Sequence, residues 1–381
     1  LEVQEGPDFV IKSYLSSPLH KRILFWLVVF FTGGTFWLLL NWFGSIEVKL
    51  RYKECELTEA THVHVEHRDG DSIEKLNAKL VPKSVFGDTS SDMIRVVLFE
   101  FRKQMHVLDY QSSKWNLLEF NTSLPFNQLV PLLTSNPAFS VEAAADVYGP
   151  CDIEVPLPAI IDLLVKEVAH PFFMFQIFSV IIWCLDAYIL LALIILFMSI
   201  VSLIVTLVET RKNIRKIRTM AQYSCPVKVL RHRGAMNFVS SQINLGHSSV
   251  NSTDRREMES GVGLSLPSTQ LVPGDLIYIP ANAKMPCDAV LLTGSCVVDE
   301  SLLTGETVPV IKDHISEGQA GVYSRKLTKQ HTLYGGTKVL HCETGSIAAV
   351  VATGYSTAKG QIVQSILYPK PTNFKFYEDS F

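Results

Sequence analysis

The chain has 381 residues, and its 34 lysines and arginines against 37 aspartates and glutamates give a net charge of −3. Hydrophobic residues make up 48 % and charged residues 19 %, a composition too apolar for an intrinsically disordered chain. The near-neutral charge and the lack of a basic region interleaved with aromatics argue against a nucleic-acid partner. We therefore expect two or three folded units.

The first predicted element is an apolar segment from Ile23 to about Phe43, which contains no charged residue. Lys21 and Arg22 precede it, and basic residues favour the cytoplasmic side of a membrane. Gly33-Gly34 lies at its midpoint, where glycine permits a sharp break of the backbone. These features predict a membrane segment that can turn back on itself.

The next hundred residues predict a small β-rich domain. From Ile46 to Lys53, apolar and charged residues alternate with a period of two, which indicates a half-buried strand. Met93–Phe101 and Trp115–Phe120 predict two further strands, separated by polar turns.

Histidines and cysteines do not predict a metal site. Alternation along a strand places His62 and His64 on one face and His67 on the other, with no fourth ligand at a useful spacing. The seven cysteines are widely spaced and include no C-x-x-C pair. We interpret the histidines as a solvated strand face and the cysteines as reduced thiols.

A second apolar region runs from Pro171 to about Val208 and contains a single charged residue, Asp186. About 20 apolar residues span the hydrocarbon core of a bilayer, so this region is long enough for two membrane helices. We predict one span from Pro171 to about Leu185 and another from Tyr188 to Val208, with Asp186 in the turn between them. One very long buried helix is the alternative.

Charge predicts the orientation of these segments. The basic cluster Arg211–Arg218 directly follows the second span and favours the cytoplasm. A hairpin returns the chain to its starting side, so the region before Pro171 is predicted to be cytoplasmic too. A full crossing by the first apolar segment would place Lys21 and Arg22 outside, so we predict a re-entrant segment. The same basic residues are candidate contacts to anionic lipids, with a pure topology signal as the alternative: Lys21, Arg22, Arg211, Lys212, Arg215 and Lys216.

The chain from Cys225 to about Thr357 is again rich in predicted strands. Turn signals at Pro273-Gly274-Asp275 and Thr293-Gly294 separate them and indicate a β-sandwich or jelly roll. The stretch between Arg231 and Pro267 lacks periodicity and predicts a long mobile loop.

Within this region, a turn displays Thr304-Gly305-Glu306-Thr307. Gly305 allows a close backbone approach, and the Glu306 carboxylate, flanked by two hydroxyls, can orient and deprotonate a water molecule beside an electrophile. An ordinary surface hairpin is the alternative for so short a motif.

Longer stretches around this turn resemble a known family. The segments Leu271–Asp275, Pro286–Asp288, Asp299–Glu306, Leu333–Thr337 and Ala352–Gly360 resemble, in order and spacing, the actuator domain of P-type ATPases. The segments Tyr148–Cys151, Glu167–Phe173 and Phe175–Val180 resemble the polyamine-transporting branch of the fifth class of that family.

The resemblance, with the apolar pattern, predicts a membrane protein of the α+β class. Its parts are a re-entrant apolar segment, a transmembrane helical hairpin and two cytoplasmic β-rich domains, the second an actuator-type jelly roll. The predicted boundaries are 1–22 for an N-terminal tail, 23–44 for the re-entrant segment, 45–150 for the N-terminal β-rich domain, 151–170 for an amphipathic linker, 171–208 for the hairpin, 209–365 for the actuator and 366–381 for the approach to a further membrane helix.

The resemblance implies the N-terminal portion of an ATP-driven pump that moves polyamines or other cations out of an acidic endosomal or lysosomal lumen. In that family, Mg²⁺ and ATP phosphorylate an aspartate of a separate domain, so neither cofactor is expected to bind this chain. Glu306 would position the hydrolytic water, Gly305 would let the loop approach the phosphoryl oxygens, and Thr304 and Thr307 would flank them. Thr307 stands where the family usually has Ser.

Two further implications concern the membrane and the limits of the chain. Asp186 would attract an ammonium group at the non-cytoplasmic end of the hairpin, with a simple turn residue as the alternative. The sequence contains no D-K-T-G phosphorylation motif, so we expect the chain alone to be inactive. A short non-catalytic isoform acting as a membrane or lipid-binding adaptor, or an unrelated membrane scaffold, are the competing hypotheses.

Overall fold

The computed structural model describes residues 4–5, 9–16, 19–32, 36, 52–55, 60–67, 72–88, 90, 92–109, 114–134, 139–169, 171–231, 264–279, 282–315 and 321–369. The chain forms two compact units. One comprises Leu1–Trp26, Phe43–Ile153 and Tyr223–Phe381, and the other comprises Leu27–Trp42 and Glu154–Gln222.

The first unit begins with an antiparallel sheet of five strands. They are β1 (Gln4–Glu5), β2 (Phe9–Ser16), β3 (Tyr52–Glu54), β4 (His62–His67) and β5 (Ser72–Lys75). Strand β2 pairs with β1, β3 and β4 and is the centre of this sheet. The predicted tail 1–22 is therefore wrong for this stretch, since the buried side chains of Ile11 and Tyr14 hold β2 in the fold.

Four consecutive strands form a second antiparallel sheet. They are β6 (Asn77–Pro82), β7 (Met93–Phe101), β8 (Gln104–Asp109) and β9 (Lys114–Leu117). The predicted strand Met93–Phe101 is confirmed, whereas the predicted strand Trp115–Phe120 is shorter and ends at Leu117. Phe99, Leu108 and Trp115 of this sheet pack with Ile11 and Val63 of the first sheet, so the two sheets share a core.

Buried histidine replaces the predicted solvated face on β4. His64 is only 3 % exposed, and its ring meets the ring of Tyr14 edge to face at 5.6 Å between centroids. The prediction of a solvated histidine face is therefore wrong for His64, because the sheet is covered on that side.

Helix α1 (Leu19–Phe31) contains Lys21, Arg22 and the start of the first apolar segment. The side chains of Lys21 and Arg22, the proposed break at Gly33-Gly34 and most of the remaining segment lie outside the described residues. The re-entrant course of residues 23–44 stays a prediction.

The second unit is helical. It contains α4 (Ile160–Val168), α5 (Pro171–Leu185) and α6 (Ile189–Ala221), numbered after two helices of the first unit given below. Helix α5 ends at Leu185 and helix α6 begins at Ile189, beside the predicted positions at about Leu185 and Tyr188. Asp186 lies in the short connection between them, so one continuous helix is excluded.

Among the described residues, α6 alone is long and apolar enough to cross a membrane, and only 6 % of its most apolar window is buried. Helix α4 and Phe172–Leu185, bent by 66°, meet the same criterion as a pair. The length, apolarity and exposure of α6 are those expected of a membrane helix, and insertion into a membrane stays a prediction.

The later part of the first unit contains two more antiparallel sheets. The larger has six strands in the order β11 (Leu264–Pro267), β10 (Pro226–Leu230), β12 (Leu276–Tyr278), β18 (Ile347–Ala352), β13 (Asp288–Thr293) and β16 (Thr332–Leu333). The smaller has the order β15 (Val310–Asp313), β14 (Ser295–Asp299) and β17 (Lys338–Cys342). Two helices, α7 (Ser301–Thr304) and α8 (Ala358–Leu367), complete this part.

Strand β11 corrects the predicted loop between Arg231 and Pro267. Its residues pair with β10 in the register Val227 to Leu266, so this end of the stretch belongs to the six-stranded sheet. Residues 232–263 lie outside the described part of the chain.

The inner strands β13 and β18 of the six-stranded sheet are buried on both faces. Ala289 and Leu291 pack toward Val298 and Val339 of the smaller sheet. On the other face, Val290, Leu292, Ala349 and Val351 pack against α2 (Phe126–Thr134), which comes from the first β-rich region and is followed by α3 (Val141–Tyr148). Strands buried on both faces carry continuous apolar runs, which explains the sequences of β13 and β18.

The two β-rich regions therefore share one hydrophobic core across the predicted boundary between domains 45–150 and 209–365. Phe126, Leu129, Val130 and Leu133 of α2 are part of that core. Gly274 shows how close the regions lie: its φ is +98°, and an added Cβ would stand 2.7 Å from the Phe139 ring.

We predict that Leu129→Ala lowers the free energy of unfolding of both β-rich regions by about 2–5 kcal/mol, because Leu129 is fully buried and its truncation leaves a cavity. Denaturant unfolding followed by hydrogen exchange of β7 and β18 measures this. Leu80→Ala, at a side chain that is 64 % exposed, is the control and should change little. Loss of protection confined to β7 would contradict the shared core.

Candidate functional site

The sequence Thr304-Gly305-Glu306-Thr307 begins at the last residue of α7, the single helical turn that comes after strand β14. Asp299 Oδ1 accepts a hydrogen bond from Ser301 N at 2.9 Å, which starts the turn. Gly305 N donates to Ser301 O at 2.9 Å and closes it. Hydrogen bonds from the Ser301 side chain and then from its amide lower the pKa of the Asp299 carboxyl, which favours the ionised acceptor.

Gly305 is required by its backbone conformation. Its φ is +79°, in the left-handed region that glycine adopts without strain, and an added Cβ would meet nothing within 4 Å. The chain thus reverses direction after α7 and presents Glu306 beyond the turn. Close approach of a partner to Gly305 stays a prediction, although the open space around its backbone leaves room for one.

The tip of the loop faces solvent. All four residues from Thr304 to Thr307 are exposed, and Glu306 N is held by Thr304 Oγ1 at 3.1 Å. The main chain of Glu306 is therefore fixed within the turn while its carboxylate can reach a group outside this domain.

Exposed apolar side chains flank the tip in the sequence. Leu302, Val308 and Ile311 are 63 %, 70 % and 65 % exposed. Exposed apolar side chains beside a charged segment are typical of a surface that another domain or protein covers. The tip and its neighbours are suited to docking.

Below the tip lies a cleft of about 370 Å³ between α7 and α8. Its walls include Leu303 and Thr304 from α7, Gln361 and Ile362 from α8, and Tyr334. The helical turn α7 that carries the tip therefore has this cleft on one side and is joined to the smaller sheet through β14.

The base of the loop is held by charges that are withdrawn from solvent. Lys312 Nζ lies 2.6 Å from Glu300 Oε1, and the two side chains are 1 % and 9 % exposed. Sequence reasoning missed Lys312, because strand alternation alone does not decide which face of β15 its side chain occupies. A lysine inside an otherwise apolar stretch, two residues after Val310, was the available signal.

A second buried charge group stands behind the cleft. Asp288 Oδ1 accepts from Gly335 N at 2.8 Å, and Asp288 Oδ2 accepts from Ala358 N at 2.9 Å. Arg325 Nη1 lies 3.6 Å from Asp288 Oδ2, and Arg325 Nη2 contacts Glu119 Oε1 of the first β-rich region at 3.2 Å. Arg325, also missed by sequence reasoning, thus links both regions.

Burial raises the pKa of Asp288 to about 6 from its ordinary value of 3.8, although the Gly335 and Ala358 amides and the Arg325 guanidinium lower it. The folded protein therefore holds the Asp288 proton more tightly than the unfolded chain. The resulting stabilisation is complete below about pH 4 and is lost as pH rises through about 6.

The predicted transport residue and four of the predicted lipid contacts lie in the second unit, whereas Lys21 and Arg22 lie on α1 at the edge of the first. Asp186 is exposed in the connection before α6, whereas Arg211, Lys212, Arg215 and Lys216 are in the last turns of that helix. From Ile189 to Arg211 the helix rises roughly 30 Å, at about 1.5 Å per residue. This separation matches the hydrocarbon thickness of a bilayer.

Among the described residues, no group of three or more His, Cys, Asp or Glu side chains is arranged to hold a metal ion. The side chain of His67 lies outside the described residues.

Comparison with known proteins gives matches along most of the chain. A family model described as the P-type ATPase actuator domain matches residues 249–367, and a model described as P5-type ATPase cation transporter matches residues 8–115.

Three curated relatives illustrate the similarity. Polyamine-transporting ATPase 13A3 of Mus musculus is 44 % identical over 247 residues, which cover 62 % of this chain and 18 % of the relative. Polyamine-transporting ATPase 13A2 of Mus musculus is 30 % identical over 418 residues, covering 97 % of this chain and 33 % of the relative. Vacuolar cation-transporting ATPase YPK9 of Saccharomyces cerevisiae is 28 % identical, covering 95 % and 26 %. The chain thus spans a third or less of the length of these relatives.

We predict that Gly305→Ala strains the turn by about 1–2 kcal/mol, because at a φ of +79° the Cβ of alanine lies too close to the carbonyl oxygen of its own peptide. Hydrogen exchange at the amides of Thr304, Gly305 and Glu306 should accelerate. Gly305→Asn is the control, since asparagine tolerates the left-handed region better. Equal exchange in the alanine variant and the unmodified chain would show that the turn does not need this conformation.

We also predict that the free energy of unfolding, measured relative to that of Asp288→Asn, falls between about pH 4 and pH 6. The expected change is on the order of 3 kcal/mol, because folding raises the pKa of Asp288 from 3.8 to about 6. Chemical denaturation at several pH values measures the difference. A difference that stays constant with pH would contradict the raised pKa of Asp288.

Proposed function

We propose that this chain, which belongs to the P5-type ATPases of the P-type ATPase family, is the N-terminal portion of an ATP-driven cation transporter. The observation that carries the proposal is the exposed Thr304–Thr307 tip on a glycine-reversed turn within the region matched by the actuator model. The activity belongs to a longer protein, of which this chain supplies the actuator.

The proposed role of the tip is hydrolysis of an aspartyl phosphate in a domain outside this chain. Water attacks the phosphorus in line, the bond from phosphorus to the aspartate oxygen breaks, and the Glu306 carboxylate takes the proton of the water. Thr304 and Thr307 place hydroxyls on either side of that carboxylate. Mg²⁺ and ATP supply the phosphoryl group in the other domain.

The geometry of the loop supports this role in two ways. The hydrogen bond from Glu306 N to Thr304 Oγ1 already orders this part of the main chain. Less conformational entropy is therefore lost when the loop docks, and a reacting group that is oriented in advance reacts faster. The exposed Leu302, Val308 and Ile311 offer apolar area to the docking domain, which would exclude water other than the attacking molecule.

For the transported species, we propose a polyamine or another cation, by analogy with relatives named polyamine-transporting and cation-transporting ATPases. The exposed carboxylate of Asp186, in the connection between two apolar helices, is a candidate first contact for an ammonium group.

We further propose that α5 and α6 cross the membrane as a hairpin and that residues 23–44 enter it from the cytoplasmic side, which keeps both β-rich regions in the cytosol. The basic end of α6 would then meet anionic lipid headgroups, together with Lys21 and Arg22. A late endosomal or lysosomal membrane fits a polyamine exporter from an acidic lumen.

We predict that Glu306→Gln in the full-length transporter allows the phosphoenzyme to form but slows its decay by about a hundredfold or more, because the amide cannot accept the proton of water. Labelling with ATP followed by a chase with unlabelled ATP measures the decay. Thr307→Ser, which keeps the hydroxyl, is the control and should decay at the unmodified rate. Unchanged decay of the Glu306→Gln protein would remove Glu306 from the mechanism.

A further inference from the structure

The buried ion pair beneath the tip closes the neck of the loop. Glu300 follows the last residue of β14, and Lys312 lies on β15, which pairs with β14 in the register Val298 to Val310. Residues 300–309 leave and re-enter the sheet between these two charges.

The ammonium group of Lys312 is held on three sides. Besides Glu300 Oε1 at 2.6 Å, Lys312 Nζ donates to the carbonyl oxygen of Lys329 at 2.8 Å and lies 5.3 Å from the centroid of the Tyr334 ring. The charge therefore has a fixed position, with two oxygens and an aromatic face as its surroundings.

The main chain of Glu300 connects the ion pair to the tip through hydrogen bonds. Its carbonyl oxygen accepts hydrogen bonds from Leu303 N at 2.9 Å, Thr304 N at 3.0 Å and Thr304 Oγ1 at 3.2 Å. Thr304 Oγ1 in turn accepts from Glu306 N at 3.1 Å. Two successive hydrogen bonds thus connect the ion-paired residue to the amide of Glu306.

We infer that Glu300 and Lys312 are positioning residues for Glu306, whose ion pair sets the direction in which the tip presents its carboxylate. The inference rests on the proposed function of the tip. Buried ion pairs add little net stability compared with a packed apolar pair, so stability alone does not account for two charges at this place. Fixing the geometry of a loop that must meet a phosphoryl group in line does account for them, since small misplacements reduce rates steeply.

The test measures phosphoenzyme decay in the full-length transporter that contains this chain. Glu300→Gln and Lys312→Met should still form a phosphoenzyme, with decay at least about tenfold slower than in the unmodified protein. The decay rate constant is independent of how much protein is misfolded, because only folded molecules become phosphorylated. A purely structural role would reduce the amount of phosphoenzyme and leave its decay constant unchanged.

A matched control breaks another buried ion pair of the same region. Arg231 and Asp275 lie 2.6 Å apart with side chains 22 % and 1 % exposed, at the β10 and β12 end of the other sheet. Arg231→Met should lower thermal stability and keep the normal decay constant. Decay in the Glu300 and Lys312 variants equal to that of Arg231→Met would overturn the inference.

Two further variants separate this inference from the proposed function. The double variant Glu300→Gln/Lys312→Met leaves no uncompensated buried charge, so its thermal stability should recover while its decay stays slow. Recovery of decay together with stability would overturn positioning. Glu306→Gln is run alongside: if it too decays normally, the proposed function fails, whereas slow decay in Glu306→Gln with normal decay in the Glu300 and Lys312 variants refutes only the positioning role.

Discussion

Burial of the inner strands β13 and β18 of the six-stranded sheet on both faces is the constraint on which the rest of the first unit depends. One face packs on the three-stranded sheet and the other on α2, which comes from the first β-rich region. Neither region can keep its apolar side chains from water without the other. The loop-bearing domain and the N-terminal sheets are consequently one packed body, and motion of the tip through a large angle would carry both.

Within that body, the candidate site combines an exposed tip with a buried base. The Glu306 carboxylate is left in solvent, where another domain can reach it, while Glu300 and Lys312 are withdrawn from solvent beneath it. This division has a physical basis. A charge in water is screened and mobile, whereas a desolvated ion pair with further hydrogen bonds holds one geometry.

Local patterns predicted much of the fold. The uniform apolarity of residues 171–208, broken by Asp186, gave both ends of α5 and the start of α6, which continues past the predicted end at Val208 to Ala221, and an apolar run between polar turns gave β7. Strand β2 was missed because its partners β3 and β4 follow 36 to 58 positions later, and β11 was missed because a polar stretch precedes it. The state of both strands is decided by the neighbouring strand, which a window of sequence does not contain.

By itself, the sequence determined the turn chemistry of Thr304–Thr307, the charge-free segments and the resemblance that points to an actuator, because these depend on residue type and close spacing. Only the tertiary structure decided that Lys312 meets Glu300, that Arg325 links Asp288 to Glu119, and that α2 completes the core of the other β-rich region. The reason is that burial and charge pairing are set by which elements pack together, and residues that meet across 10 to 200 positions leave no local pattern.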